Sequence, residues 1–291
     1  MNALLAWYFV AVWGIGYIAT KIGLQHAPPF TFLSLRFAFG LLCLAPVVLF
    51  LRVRWPRTAP EWGHLAVAGL LMHAVQLSGS HHAQYLGMSA GVVAIILSSQ
   101  PLVTAIVLAA FLRERILVGQ WIGVVLGLLG VALVVWHKID IREVTPGSLT
   151  GTLVALAGIT AATLYQKRFS PTADLKAAAV IQFAATLAVV APLALAVEGF
   201  AFTPSLSLLG AIAFLVVLAS LLGVSAFNFL MRRGESARVT SIMYLPPVFA
   251  VVAELAFFGV VPTFLTVLGM IVACIGVAMA VWTPRWTSST S

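Results

Sequence analysis

The sequence predicts an all-α integral membrane protein whose ten transmembrane helices form two inverted five-helix repeats. Three observations predict this: an apolar composition, ten long apolar runs, and a fixed spacing between similar residues. Of the 291 residues, 62% are hydrophobic and 8% are charged, whereas a soluble domain carries roughly 25% charged residues. One aqueous core could not bury so much apolar surface, so we expect the chain to fold in lipid.

Ten apolar runs have the length of about 20 residues that is needed to cross a bilayer. Short connections with proline or glycine separate them, as at Pro28-Pro29 and Pro146-Gly147. The runs cover 3–23, 30–51, 62–84, 89–111, 117–137, 148–167, 175–197, 206–230, 236–258 and 263–283.

Chemically distinctive residues recur along the chain at a spacing of 146 positions. The pairs are Lys21 with Lys167, Pro46 with Pro192, Pro101 with Pro247, Gly123 with Gly269, Gly130 with Gly276, and Trp136 with Trp282. The predicted repeats are therefore residues 1–145 and 146–291. Because five spans is an odd number, the second repeat enters the membrane from the opposite side. Inverted repeats are a recurrent transporter architecture, with the substrate site where the copies meet.

The net charge of +8 could suggest nucleic acid as a partner, but the distribution of the charges does not. With a cytoplasmic N-terminus, 12 of the 16 Lys and Arg residues lie on the cytoplasmic side: Arg52, Arg54, Arg57, Arg113, Arg115, Lys167, Arg168, Lys176, Arg232, Arg233, Arg238 and Arg285. This bias predicts that both termini are cytoplasmic. We expect a multi-pass protein of the cell membrane whose basic residues meet anionic lipid headgroups, with no nucleic-acid partner.

The order of several residues resembles a known family, the EamA-type, ten-span branch of the drug/metabolite transporter superfamily. The residues are Trp13-Gly14, Lys21, Pro28, Arg36-Phe37, Pro101, Glu114, Gly123 and Gly130. The resemblance covers nearly the whole chain. It implies export of small metabolites, and within the superfamily the sequence resembles the aromatic amino-acid exporters. The second repeat departs from the pattern, because Val260 stands where the first has Glu114, and Gln182 where it has Arg36.

Prolines within two equivalent spans mark predicted hinges at Pro101, Pro246 and Pro247. A proline inside a helix frees a backbone carbonyl one turn earlier and kinks the helix. Polar residues beside these prolines include Ser99, Gln100 and Tyr244. They predict a cavity wall that hydrogen-bonds substrate; the alternative is hydroxyls bonded back to their own helix.

The third span is rich in polar residues, and His73, Gln76, Ser80 and Gln84 share one helical stripe. Such a stripe rarely faces lipid, so we expect it to face the cavity. His73 is the candidate proton-linked group; bonding to a neighbouring helix explains it equally well. Trp13 and Tyr17, four residues apart, could stack on a substrate or pack helices. The predicted substrate-binding residues are Trp13, Tyr17, His73, Gln76, Ser80, Ser99, Gln100 and Tyr244.

Charged side chains at depth in a membrane are costly and are usually paired or cavity-facing. Arg36 and Glu254 are such charges, and they predict either an ion pair or contacts to the carboxylate and amine of an amino acid. Lys21 could extend only to the interface. Glycines of the fifth span, from Gly119 to Gly130, predict close helix contact. The family resemblance implies that this contact helps a homodimer form, and packing inside the monomer is the alternative.

Other function classes find little support in the sequence. Adjacent Ser80 and His81 point about 100° apart on a helix, and no nucleophile elbow occurs, so an enzyme is not expected. His73, His81 and His82 lack metal-ligand spacing, and neither a metal nor a cofactor is expected. No phosphate-binding Gly-rich motif suggests ATP. The predicted function is alternating-access export of amino acids with aromatic or bulky apolar side chains; export of lipophilic cationic drugs, a channel and a scramblase are the alternatives.

Overall fold

The structure is a computed structural model that describes residues 2–111, 117–140, 144–223 and 245–281. Within these ranges the regular structure is helical throughout. The helices are α1 (Asn2–Leu24), α2 (Pro29–Phe50), α3 (Ala59–Gly69), α4 (Gln76–Tyr85), α5 (Ala90–Leu97), α6 (Gln100–Phe111), α7 (Val118–Asp140), α8 (Pro146–Phe169), α9 (Leu175–Glu198), α10 (Leu206–Ala213), α11 (Pro246–Phe258) and α12 (Phe264–Val281). Two π-helical segments, Leu70–Val75 and Phe214–Gly223, continue α3 and α10.

The lengths of these helices confirm the predicted all-α membrane fold. Seven helical stretches in the described chain are long and apolar enough to cross a membrane, and two further apolar helices are shorter. The continuous helical run 59–85 carries the polar third span. All ten predicted runs contain a described helix, although parts of the eighth, ninth and tenth runs lie outside the described residues.

The fourth predicted span is broken where the sequence places a hinge. Helix α5 ends at Leu97 and α6 begins at Gln100, with Ser98 and Ser99 between them. Pro101 has no N–H to donate to the carbonyl of Leu97, which accounts for the interruption. Pro246 and Pro247 instead occupy the first turn of α11, a position where the missing N–H costs little.

Contacts between the two halves follow a reciprocal pattern. Helix α2 packs on α9, and α7 packs on α12. Helix α1 contacts α10 and the π-helical segment Phe214–Gly223. In the other half, α8 makes the matching contacts with α3, with α4 and with the π-helical segment Leu70–Val75. Helix α1 also contacts α11, and α8 contacts α5 and α6. A two-fold relation between inverted copies requires such matched contacts, so this pattern supports the predicted repeats.

Glycines bring α7 and α12 into backbone contact. A Cβ at Gly130 would lie 2.7 Å from the carbonyl oxygen of Gly269, and a Cβ at Gly123 would lie 2.7 Å from that of Gly276. The glycines of the fifth span therefore make close helix contact within one chain. A homodimer stays a prediction.

Candidate functional site

A wide cleft opens at the face where α2 ends and α9 begins. It runs between α2, α3 and α9 and reaches Ser220 in the second π-helical segment. We call this face the cleft face. Four basic side chains and two acidic ones line the opening: Arg52, Arg54, Arg57, Lys176, Glu61 and Asp174. Further in, the lining is apolar, with Leu44, Val47 and Leu222. The cleft is therefore a basic mouth above an apolar passage.

Asp174 fixes the edge of this mouth by capping α9. Its carboxylate accepts hydrogen bonds from the backbone N–H of Lys176 at 2.9 Å and of Ala177 at 3.3 Å. Burial raises the pKa of this carboxyl, but hydrogen bonds from backbone N–H groups, including that of Arg54, and the charge of Lys176 outweigh it, so the pKa lies below its ordinary value. The connection after α2 is thus held against the start of α9.

Arg36 and Ser220 meet at the inner end of the cleft. Nη2 of Arg36 donates to the Ser220 hydroxyl over 3.4 Å, and that hydroxyl donates to the Leu215 carbonyl at 2.9 Å. Ser220 belongs to the cleft lining, so the guanidinium of Arg36 lies close to the end of the passage. A guanidinium has five N–H donors, and this long contact, the one hydrogen bond of Arg36 to a described residue, satisfies few of them.

The matching position of the second half holds Gln182. Its side chain lies beside His73. The contacts of Arg36 with Ser220 and of Gln182 with His73 are similar but not strictly equivalent, because Ala219 stands 146 positions after His73. Both partners lie in π-helical segments. Insertions of this type occur often at functional sites, and here they fall at equivalent places in the two halves.

Aromatic rings fill the space between these two contacts. The ring centroids of Phe37 and Phe183 are 5.1 Å apart, and the His73 ring lies 5.4 Å from Phe37 and 5.3 Å from Phe183. Gly40 permits this packing, because a Cβ there would lie 2.9 Å from the Phe183 ring. His73 therefore sits in an aromatic cluster beside Gln182.

The opposite face is closed by an ion pair. Lys21 Nζ lies 2.6 Å from Glu254 Oε1. The Glu254 carboxylate also accepts hydrogen bonds from the backbone N–H of Ala90 at 3.1 Å and of Gly91 at 2.9 Å, at the start of α5. The positive end of a helix dipole favours an anion at this position. One carboxylate thereby joins α1, α5 and α11.

These contacts settle two predictions about charges. The hypothesis that Arg36 and Glu254 form a pair is wrong, because Glu254 binds Lys21 while Arg36 contacts Ser220. The interpretation that Lys21 only reaches for the interface is also wrong. Lys21 lies near the end of α1 that approaches the start of α5, and that approach explains the pairing.

A second carboxylate closes the same face. Glu198, at the end of α9, accepts hydrogen bonds from the backbone N–H of Phe30 at 3.0 Å and from the N–H and hydroxyl of Thr31 at 2.7 and 2.8 Å. It caps the start of α2, which lacks a cap from its own N-cap residue, Pro28. We call the face that Glu254 and Glu198 hold together the sealed face.

The remaining predicted site residues lie in several environments. Ser80 donates to the Leu77 carbonyl one turn earlier, and Ser99, between α5 and α6, donates to the Ile96 carbonyl of α5. Gln100 reaches α8, where its Nε2 lies 3.3 Å from the Thr163 hydroxyl. Of the rest, Gln76 is buried, Trp13 is exposed and packs against Phe9, and Tyr17 packs against the apolar core. Tyr244 lies outside the described residues.

The structure also presents residues that the sequence analysis did not select: Ser220, Gln182, Phe183 and Glu198. One signal was available for Phe183, since it stands 146 positions after Phe37. Phenylalanine matches carry little weight in so apolar a chain. No sequence signal pairs Glu198 with the start of α2, because about 170 residues separate them along the chain.

The described helices, the reciprocal contacts and the one-sided cleft define a multi-pass membrane transporter. The chain belongs to the EamA-like transporter family, whose model matches residues 1–136 and again 146–282. It is 29% identical over 257 residues to the uncharacterized inner membrane transporter YedA of Escherichia coli (strain K12), covering 86% of this chain and 80% of that protein.

Other known proteins are similar over nearly the full chain. One is named a probable amino-acid metabolite efflux pump, from Salmonella typhimurium, and is 24% identical over 97% of this chain and 95% of its own length. A solved crystal structure matches with a TM-score of 0.67 at 19% identity and covers 96% of each chain. That likeness supports the fold.

Proposed function

We propose that this transporter works by alternating access and exports small metabolites, first of all amino acids with aromatic or bulky apolar side chains. One observation carries the proposal. The cleft opens at one face and ends at Ser220, which the Arg36 side chain contacts, while two carboxylates hold the sealed face together. A passage open on one side and closed on the other is one of the two states that alternating access requires.

The direction of transport rests on the charge distribution. Arginines lie at the mouth of the cleft, and an excess of Lys and Arg marks cytoplasmic segments. The described state is then open to the cytoplasm, ready to load a substrate for export. The matched contacts of the halves give a route to the other state, because exchanging them would close the cleft and open the sealed face.

Several features favour an amino acid as the substrate. The passage is apolar above a basic group, which suits a molecule with an apolar side chain and a carboxylate. Two relatives are named probable amino-acid metabolite efflux pumps. A lipophilic cation is the second choice, because a cation at the end of this passage would meet Arg36 rather than a carboxylate.

Flux measurements in proteoliposomes test the proposal. We expect purified protein to carry phenylalanine, tyrosine or tryptophan, and excess substrate on the far side to accelerate labelled exchange. Exchange of this kind identifies a carrier. The control variant is Leu195→Ala, at an exposed position on α9. Flux of a lipophilic cation without flux of these amino acids would overturn the substrate, and flux much faster than millisecond cycles would indicate a channel.

A further inference from the structure

We propose that Arg36 and Ser220 form a carboxylate-binding subsite, with the apolar part of the ligand lying along Leu44, Val47 and Leu222. The ligand class is a small molecule with one carboxylate and an apolar side chain. This inference rests on the proposed function, because it assumes that the cleft is the route of the substrate. It adds which group of the substrate is recognised and where.

The first step concerns the unmatched charge of Arg36. The ion pair that the described residues form is Lys21–Glu254, which lies toward the sealed face and does not include Arg36. The carboxylate of Glu198 is also engaged there, by α2. Within the described residues, Arg36 makes one hydrogen bond, of 3.4 Å, to a neutral hydroxyl. A charge within a membrane span without an anionic partner is costly, and an arriving carboxylate would supply that partner.

The second step concerns the direction of the Arg36 side chain. Gly40 lies one turn after Arg36 and faces Val216, since a Cβ at Gly40 would be 4.0 Å from a Val216 methyl. Ser220 lies one turn beyond Val216. To reach Ser220, the guanidinium must extend along α2 toward the cleft. Its N–H groups therefore lie close to the passage, where a carboxylate can be bound in a bidentate manner.

The third step concerns the groups around the guanidinium. His73 and His81 lie within electrostatic reach of Arg36. The buried Nδ1 of His81 and Nε2 of Gln182 have no hydrogen-bond partner within the described ranges. Buried polar atoms without partners are uncommon. Among the described groups at this place, the positive charge is that of Arg36 itself, and it lies near buried polar atoms that have hydrogen-bonding capacity to spare.

The fourth step concerns the wall behind the subsite. Phe37 and Phe183 are almost fully buried and pack edge to face. The Arg36 guanidinium lies 6.0 Å from the Phe37 ring. The Phe37 ring covers one side of the guanidinium and shields it from water, which strengthens its interaction with an anion. Phe37 is a positioning residue, because it would act on the ligand only through Arg36, and Phe183 supports the Phe37 ring.

A set of three related ligands separates the contributions of the two charges of phenylalanine. 3-Phenylpropionate keeps the carboxylate and lacks the amine, whereas phenethylamine keeps the amine and lacks the carboxylate. We expect purified protein to bind phenylalanine and 3-phenylpropionate, measured as ligand-dependent thermal stabilisation and as competition for labelled phenylalanine. We expect phenethylamine to bind at least tenfold more weakly. Binding of phenethylamine as tight as that of 3-phenylpropionate would overturn the proposal.

Two variants and a control test the role of Arg36. Arg36→Gln should weaken both carboxylates roughly 10- to 100-fold, the cost of losing hydrogen bonds to a charged group. Arg36→Lys keeps the charge and should lose less. Arg168→Gln removes an exposed arginine at the end of α8 and should bind as the parent does. Undiminished binding of 3-phenylpropionate to Arg36→Gln would contradict the inference.

The same experiments distinguish failure of the inference from failure of the proposed function. If Arg36→Gln fails to fold, the Arg36→Lys variant and the ligand series on the parent protein still decide. If the parent protein transports no amino acid, the proposed substrate is wrong, while stabilisation by 3-phenylpropionate that depends on Arg36 would still support the subsite. If amino acids are transported equally by the parent and Arg36→Gln, the subsite is wrong and the transport function stands.

Discussion

Phe37 and Phe183 occupy equivalent positions of the two halves, and their ring centroids lie 5.1 Å apart. Equivalent residues of two copies can touch only near the axis that relates the copies. The axis therefore passes close to this ring pair, and Arg36 and Gln182 flank it. A binding group beside the axis can be reached from either face with little movement of its own, as alternating access requires.

The first prediction concerns the ion pair of the sealed face. Glu254→Gln should destabilise the protein, because Lys21 would keep its charge among buried groups. Breaking a buried pair costs about 3–5 kcal/mol, and we expect the lower end because the Lys21 side chain is 25% exposed. Thermal unfolding in detergent measures the loss.

A double-mutant cycle is the control for this prediction. The double variant Lys21→Met with Glu254→Gln should be more stable than the sum of the two single losses predicts, because it leaves no unpaired charge. Strict additivity would show that the two residues do not interact.

The second prediction concerns the glycine contacts of α7 and α12. Gly130→Ala should destabilise the protein by about 1–3 kcal/mol, the usual cost of overpacking, since the added Cβ would meet the backbone of α12. The matched control is Gly119→Ala on the same helix, where nothing lies within 4 Å of the added Cβ. The control should be neutral or slightly stabilising. Equal effects of the two changes on thermal unfolding would contradict the packing.

The third prediction concerns the substrate-binding residues selected from the sequence. Gln76→Ala and Tyr244→Ala should reduce transport in proteoliposomes without loss of folded protein, because both remove a hydrogen-bonding group expected to face substrate. Leu195→Ala is again the control. Normal transport by single alanine variants of all eight predicted residues would place the cavity elsewhere.

The fourth prediction concerns pH and the cap of α9. The Asp174 carboxyl has a lowered pKa in the folded protein, so its contribution to stability is present above the unfolded value of about 3.9 and disappears as pH falls through the folded pKa. Asp174→Ala should therefore be less stable than the parent near pH 6, and the difference should shrink in acid. A stability difference between Asp174→Ala and the parent that stays constant from pH 6 into acid would show that the effect does not depend on the charge of Asp174.

The fifth prediction concerns orientation. Reporter fusions should place both termini in the cytoplasm, because basic residues concentrate on that side of the predicted spans. A C-terminal reporter outside the cell would contradict both the ten spans and the direction proposed for export.

The helices were predictable from the sequence, because a bilayer imposes one length on every span. Helix α9 covers Leu175–Glu198, and the predicted run was 175–197. The break before Pro101 was also predictable, since proline cannot donate a backbone hydrogen bond. These features depend on residues close together in the chain.

The contacts of the candidate site were much harder to predict. Lys21 and Glu254 are 233 residues apart, and periodicity contains no information on which distant charges meet. Ser220 is one serine among apolar residues in the sequence. It contacts Arg36 because the π-helical segment Phe214–Gly223 places its side chain there. Such pairings follow from the packing of helices against each other, which the sequence of one chain does not reveal.

The ion pair Lys21–Glu254 stabilises the conformation in which the sealed face is closed. Lys167 stands at the position equivalent to Lys21, but Leu108 stands at the position equivalent to Glu254. The equivalent positions at the cleft face, Lys167 and Leu108, therefore cannot form a matching ion pair. In the alternating-access cycle proposed above, the conformation that contains this ion pair would be the more populated one in the absence of any gradient. Each turnover would then have to break the pair, so the energetic cost of opening would fall on one half of that cycle.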